Sequence, residues 1–340
     1  MLVRVMASAR RRRSHIPACN YNLRKGASVF DEGRGVQEQP DNQFDGRESL
    51  ETLGVDFEAV PSSAWDNIAG MTNEKDLIEK TIVLPLQHPE VAIKHGVVPP
   101  KAILLFGPPG TGKTFFAKGI AGRLKWSFVE ISPSLLLGEG LEKQALQLKE
   151  LFERFLRITR SVIFFHEFEE LALRPDTASE REKLLSSEML RQIPRLRGAR
   201  ELLLICATNN IRLLNPALLR PGRFDFVLPV GPLDAESRRA IFQMYLGSMN
   251  AGEVDISLVS ARTRYYTPAD IQAVCSHAAQ SAFEKEIAER VEHKVLTQDL
   301  LQAMETHQPA TTPELLQEFR EDIRRFCRAD YCALLLEPDQ

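Results

Sequence analysis

Four short apolar runs set the layout of the chain: residues 102–106 (AILLF), 127–131 (SFVEI), 161–165 (SVIFF) and 202–206 (LLLIC). Each has the length of a strand, and near-continuous apolar character marks strands buried on both faces. Longer segments with helical periodicity lie between them, at 115–124, 141–156 and 180–196. In the second of these, Leu148, Leu151, Phe152 and Phe155 fall on one face, a stripe expected to pack on the core. Strand and helix alternate, which predicts an α/β fold with a parallel sheet covered by helices on both sides. A helix is expected ahead of it over 74–82. Residues 255–308 read as mostly helical, with Ile271, Val274, Cys275 and Ala278 as one stripe. From Pro313 a last helix is predicted, with Leu315, Leu316, Phe319, Ile323 and Phe326 helically spaced. The short apolar end at 333–336 is expected to dock on the helical region before it.

The loop after the first apolar run carries the chemistry. Residues 107–114 read GPPGTGKT, the pattern G-x-x-x-x-G-K-[ST], with a strand before and a helix after. The glycines let successive N–H groups turn toward one anion, and the helix start adds its positive dipole end. Pro109, Gly110, Thr111, Gly112, Lys113, Thr114 and Phe115 are therefore the candidate phosphate-binding set. Lys113 supplies charge to the β- and γ-phosphates, and the Thr114 hydroxyl can ligate Mg²⁺. Ligands of parallel sheets sit at the C-terminal ends of strands, where Glu167 and Asn209 also fall. Alone, each is an ordinary polar strand end. Beside this loop, Glu167 becomes a candidate base that orients and deprotonates water, and Asn209 a candidate to hold that water or the γ-phosphate. His166-Glu167 is not read as a zinc motif, because H-E-x-x-H needs a second histidine on a helix and the place holds Glu170. Arg220 and Arg223 flank a Pro-Gly turn. They read either as a surface charge pair or as arginine fingers that stabilise transferring phosphoryl charge. Should they fail to reach their own loop, they must serve a neighbour's, which implies a ring.

Composition narrows the class. The 340 residues are 44% hydrophobic and 26% charged, with net charge −3, so no global basic field points to nucleic acid. No apolar run approaches the ~18 residues of a membrane span. Five scattered cysteines in no zinc-like spacing read as reduced cytosolic thiols, and the expected location is cytoplasmic. Residues 1–60 differ from the rest: four arginines at 10–13, then polar residues without a sustained period. This stretch reads as a disordered tail. An Arg-rich organelle transit peptide and contact with RNA or an acidic surface stay open as alternatives. Order is expected to begin near Pro61.

With these motifs in hand, the chain resembles the AAA ATPases, and within them the valosin-containing-protein (Cdc48-like) branch and its archaeal relatives. The resemblance rests on WDNIAG at 65–70, VPPKAILLFGPPGTGKT at 98–114, ATN at 207–209, NPALLRPGRFD at 215–225, PLD at 232–234 and Arg238. It implies a P-loop NTPase parallel sheet sandwiched by helices over 61–231, a small α-helical lid over 232–310, and a C-terminal helix and tail over 311–340. It further implies a homo- or hetero-hexameric ring that binds ATP and Mg²⁺ between subunits and acts on a protein partner. In that scheme Glu167 is the base, Asn209 the sensor, and Arg220 and Arg223 are trans fingers. Ile68, Ala69 and Gly70 border the adenine, Pro268 and Ala269 close over the nucleoside, and the last helix packs on a neighbouring subunit. Two departures weigh on activity. His166 stands where relatives carry an aspartate that helps hold Mg²⁺ through its charge and the ion's water shell; an imidazole there can accept a hydrogen bond from a Mg²⁺-bound water but brings no negative charge, so weaker Mg²⁺ binding and slower turnover are expected. The pore position that grips polypeptide in relatives holds Gly140-Leu141, in a stretch (135–141) without an aromatic. Two functions follow: an ATPase that remodels a protein partner, or an ATP-binding assembly protein that hydrolyses little.

Overall fold

The computed structural model describes residues 47–48, 50–52, 54–136 and 140–327, the side chains of Leu141 and Glu142 excepted. The expectations for the tail before residue 47 and for 333–336 lie outside these residues, as do residues 137–139 of the pore stretch. The described residues belong to one compact unit.

In chain order, β1 (Phe57–Ala59) leads to α1 (Ser63–Asp66), α2 (Thr72–Ile78), α3 (Leu84–Gln87) and α4 (Pro89–Lys94). Then come β2 (Ala102–Phe106), α5 (Lys113–Leu124), β3 (Ser127–Ile131), α6 (Leu141–Phe155), β4 (Ser161–Phe165), α7 (Glu180–Gln192), β5 (Leu202–Thr208) and β6 (Phe226–Pro229). The lid follows as α8 (Ala235–Gly247), α9 (Ile256–Ala261), α10 (Pro268–Glu289) and α11 (Thr297–Thr306), and α12 (Pro313–Phe326) ends the described chain.

The strand order is β1-β3-β4-β5-β2-β6, parallel throughout except for β1, which runs antiparallel to β3. Side chains alternate across each strand, so one sheet buries two cores. Ala102, Leu104 and Phe106 of β2 face one cluster with the predicted Leu148, Leu151, Phe152 and Phe155 of α6. Ile103 and Leu105 face the other, with Phe116, Ala117 and Ile120 of α5. The register pairs Phe106 with Thr208 and Phe165 with Cys206, which brings the loops after β2, β4 and β5 to one edge.

Three expectations need correction, and the last helix shows its own packing. Order begins before Pro61: β1 pairs with β3, and Leu50 and Val55 lie in the first core. The helix expected over 74–82 instead spans α2 and a π-helical turn at Glu79–Val83. α7 stops at Gln192 and continues as a 3₁₀ segment, Ile193–Gly198, which includes Pro194; proline cannot donate to a helical ladder. The last helix packs one face on its own sheet. Phe319 and Ile323 join the first core, and the Phe319 ring lies 5.7 Å from that of Phe106. Arg212 fixes α12 from the side, donating from Nε to Asp322 at 2.5 Å and from Nη2 to the Glu318 carbonyl at 3.2 Å.

The lid has its own core, with Phe242, Val259, Ile271, Val274, Cys275 and Leu300 among its buried members. Its long helix α10 starts as the sequence foretells. Thr267 Oγ1 accepts from the Asp270 N–H, Asp270 Oδ2 accepts from the Thr267 N–H, and Pro268 opens the helix.

Candidate nucleotide-binding site

A cavity of about 630 Å³ opens where the strand ends meet the lid. Its polar wall is the loop from Pro109 to Thr114 together with His166, Glu167 and Asn209. Its apolar wall comes from both sides of the lid junction, with Ile68 and Ala69 facing Leu233, Ile241, Met244 and Pro268. Met244 and Phe115 are large exposed apolar side chains at this cavity. An anion-seeking half joined to an apolar half suits a nucleotide, with phosphates at the loop and the base under the lid.

The loop lies close under the lid. Gly110 adopts φ +77°, and a Cβ there would sit 2.9 Å from Thr267 Oγ1, the capping hydroxyl of α10. Any other residue would push loop and lid apart. Lys113 is the buried centre of the loop. Its Nζ donates to the carbonyls of Gly107 and Pro108, both at 2.8 Å. Burial pushes its pKa down to about 8, against the upward pull of the Glu169 carboxylate.

β4 ends at Phe165 and delivers His166 and Glu167 to the cavity. Glu167 is held in the left-handed region, φ +50° and ψ +43°, a conformation that costs a non-glycine residue about 1–3 kcal/mol. Its carboxylate Oε2 lies 3.6 Å from His166 Nδ1. β5 delivers Asn209, whose backbone N–H donates to Glu169 Oε1 at 3.2 Å. The second oxygen of Glu169 is buried without a hydrogen-bond partner among the described residues.

Most sequence-predicted residues converge here: Ile68, Ala69, Pro109 to Phe115, His166, Glu167, Asn209, Pro268 and Ala269 all line the cavity. Gly70 does not. It turns at φ +63° against α8, where a Cβ would lie 1.5 Å from Ser237 Oγ, so it sets how closely the lid approaches. Arg220 and Arg223 also stay outside the lining. Arg220 is exposed, and Arg223 donates to the Ala217 carbonyl. Their turn is pinned by Asp225, which accepts from the Gly222 N–H and from Arg197.

Sequence reasoning passed over several residues. Glu130, Tyr245 and Gln272 line the cavity, and Glu169 links Lys113 to the Asn209 backbone. Glu169 lies two residues past Glu167, which was a usable signal. Tyr245 sits beside the buried Phe242 and reads as lid core until the fold places it.

Among the described residues no group of three or more His, Cys, Asp or Glu side chains could hold a metal by itself. A cation would need phosphate oxygens as well as Thr114 and position 166. Mg²⁺ prefers an octahedron of oxygens, and the group offered beside the carboxylate is an imidazole, so this donor set suits Mg²⁺ poorly.

The comparisons with known proteins agree with this geometry. A family profile described as ATPase family associated with various cellular activities (AAA) matches residues 103–232, and one described as AAA+ lid domain matches residues 253–298. The cell division cycle protein 48 homolog of Archaeoglobus fulgidus is 32% identical over 274 residues, 76% of this chain and 37% of that protein. A proteasome-activating nucleotidase of the same organism is 32% identical over 265 residues, 76% of this chain and 65% of its own length. The solved FIGL-1 AAA domain superposes with a TM-score of 0.70 at 26% identity, covering 84% of this chain and 96% of that one. The same domain in complex with ADP gives 0.69 at 25% identity, covering 86% and 99%. The chain belongs to the AAA ATPase family: it carries an AAA domain followed by an AAA lid. Its relatives are of the Cdc48 and proteasome-activating type. It spans about a third of the length of the first curated relatives it matches. No helix among the described residues is long and apolar enough to cross a membrane.

Proposed function

We propose that the chain is an ATP hydrolase that works between subunits of a ring and couples hydrolysis to remodelling of a protein partner. The observation that carries this reading is the meeting of Lys113, Thr114, Glu167 and Asn209 in one cavity, while Arg220 and Arg223 face elsewhere. The loop amides and the Lys113 ammonium bind and neutralise the phosphates. Glu167 accepts a proton from water as the water attacks the γ-phosphorus. The bond to the bridging oxygen breaks, and ADP and phosphate result. The Asn209 amide orients that water. Pro268 and Ala269 cover the nucleoside and exclude solvent. A divalent cation supplies further charge neutralisation at the phosphates when bound, with Mg²⁺ the family's usual ion. In this reading Arg220 and Arg223, on a pinned turn outside the lining of their own cavity, serve an adjacent subunit's γ-phosphate. Head-to-tail contacts of this kind close into rings. The buried free thiols Cys206 and Cys275 support a reducing, cytoplasmic setting.

His166 favours a second reading, a nucleotide-gated assembly protein with little turnover, because an imidazole brings no negative charge to the phosphate cation. The test is ATP hydrolysis by the purified chain at saturating divalent cation, with Glu167→Gln as the blank. A rate lost in the variant supports the hydrolase. Bound ATP with no difference between the two supports the second reading.

A further inference from the structure

His166 is the one group on the polar wall whose chemistry departs from phosphate–Mg²⁺ practice. It follows β4 directly and lines the cavity with Thr114 and Glu167. Its ring is half-exposed to that space, and its polar contact among the described residues is the 3.6 Å approach of Nδ1 to Glu167 Oε2. A neutral imidazole is a nitrogen donor for a metal. Such donors suit first-row transition ions, whose affinity for nitrogen sites climbs from Mn²⁺ through Co²⁺, whereas Mg²⁺ favours oxygen and dehydrates reluctantly. Glu167 stands beside it as an oxygen donor, and Glu169 accepts from the Asn209 N–H and acts on the charge of Lys113. The cavity therefore offers a cation the His166 nitrogen beside oxygens of Thr114, Glu130, Glu167 and the nucleotide.

Resting on the nucleotide site proposed above, we infer that this site takes its nucleotide with a first-row divalent transition ion bound through His166, in preference to Mg²⁺. Selection then lies in the donor set. The phosphate loop is indifferent to the ion, and position 166 decides between nitrogen-seeking and oxygen-seeking cations.

Two measurements on the full chain test this. The first is equilibrium binding of a fluorescent ADP in EDTA and at equal saturating Mg²⁺, Mn²⁺ or Co²⁺. Wild type is expected to bind ~10-fold more tightly with Co²⁺ than with Mg²⁺, Mn²⁺ falling between, and His166→Asp is expected to bring that ratio down to a few-fold or less. The second is pulsed EPR of the Mn²⁺–ADP complex of uniformly ¹⁵N-labelled protein. Wild type is expected to show coupling of Mn²⁺ to a directly bound protein nitrogen, absent in His166→Asp. This signature needs only the wild-type protein, so a poorly folded variant does not remove the test. ADP bound equally well with every cation or with none, or Mn²⁺ without nitrogen coupling, overturns the inference while the nucleotide site stands. No ADP binding under any condition overturns both.

Discussion

Lys113 makes the nucleotide-free protein less stable than it need be, and replacing it with methionine exposes this. A lysine in the unfolded chain has a pKa of about 10.4, while burial lowers that of Lys113 to about 8. The difference of about 2.4 units corresponds to about 3 kcal/mol of penalty on the charged form. Its sign is fixed by linkage. Between about pH 8 and 10.4 the unfolded chain holds the proton that the folded chain has lost, so stability rises with pH through that window. Below about pH 8 the whole penalty is present. Methionine removes it and also removes two hydrogen bonds to the Gly107 and Pro108 carbonyls, worth about 1 kcal/mol each. Near pH 7, Lys113→Met should therefore be more stable than wild type by about 1 kcal/mol, or roughly 1–2 °C in melting temperature. Near pH 10 the wild-type amine is mostly neutral and keeps its hydrogen bonds, so the order should reverse by about 1–2 kcal/mol. The assay is thermal unfolding of both proteins in EDTA without nucleotide across that range. Other groups titrate alike in both proteins, so the difference curve isolates this lysine. Saturating ADP should restore the wild-type lead near neutral pH, since ligand at 100 times its Kd adds about 2.7 kcal/mol. A variant less stable than wild type near pH 7, or a difference that does not change with pH, refutes the reasoning.

Phe319→Ala should cost about 3 kcal/mol in thermal or chemical unfolding, because the ring fills the space between Phe106, Gly107 and Gly231. Arg212→Ala leaves Asp322 without its main cation. Burial already raises the pKa of this carboxyl while Arg212 holds it down. A raised folded pKa means stability lost as pH rises, so the variant should lose about 1–3 kcal/mol near pH 7 and much less near pH 4, measured by denaturant unfolding at both. Glu169→Gln removes the carboxylate that favours the charged form of Lys113, so the pH above which ADP affinity declines should move downward from that of wild type in binding titrations.

The core of the fold was legible because three interior strands are apolar at nearly every position, and their observed limits match the apolar runs. β5 reaches Thr208, past its run, because parallel pairing to Leu105 and Phe106 continues there whatever the side chains. β1 and β6 were hidden: three and four residues respectively, too short to show a period. The α12 stripe announced a buried face but not its cover. Phe319 meets Phe106 across more than two hundred residues, a contact that no local pattern records. In the site, the loop and strand-end residues were legible because their roles follow from one motif and its topology. The approach of Gly70 to Ser237 was hidden because adjacency to Ala69 says nothing of which side turns to the lid. Tyr245 and Gln272 became visible only when α8 and α10 were set over the loop.

The central claim is hydrolysis at a site completed by a neighbouring subunit, and mixing two inactive variants tests it most directly. Lys113→Ala keeps Arg220 and Arg223 but loses its own phosphate lysine, and the double variant Arg220→Ala/Arg223→Ala keeps the loop but offers no finger. Each alone should lack ATP hydrolysis. Mixed in equal amounts and allowed to exchange, they should regain activity at up to roughly a quarter of interfaces, where an intact loop meets an intact finger. A wild-type rate that neither the mixture nor any ratio of the two recovers, or full activity of the double variant alone, would contradict the account.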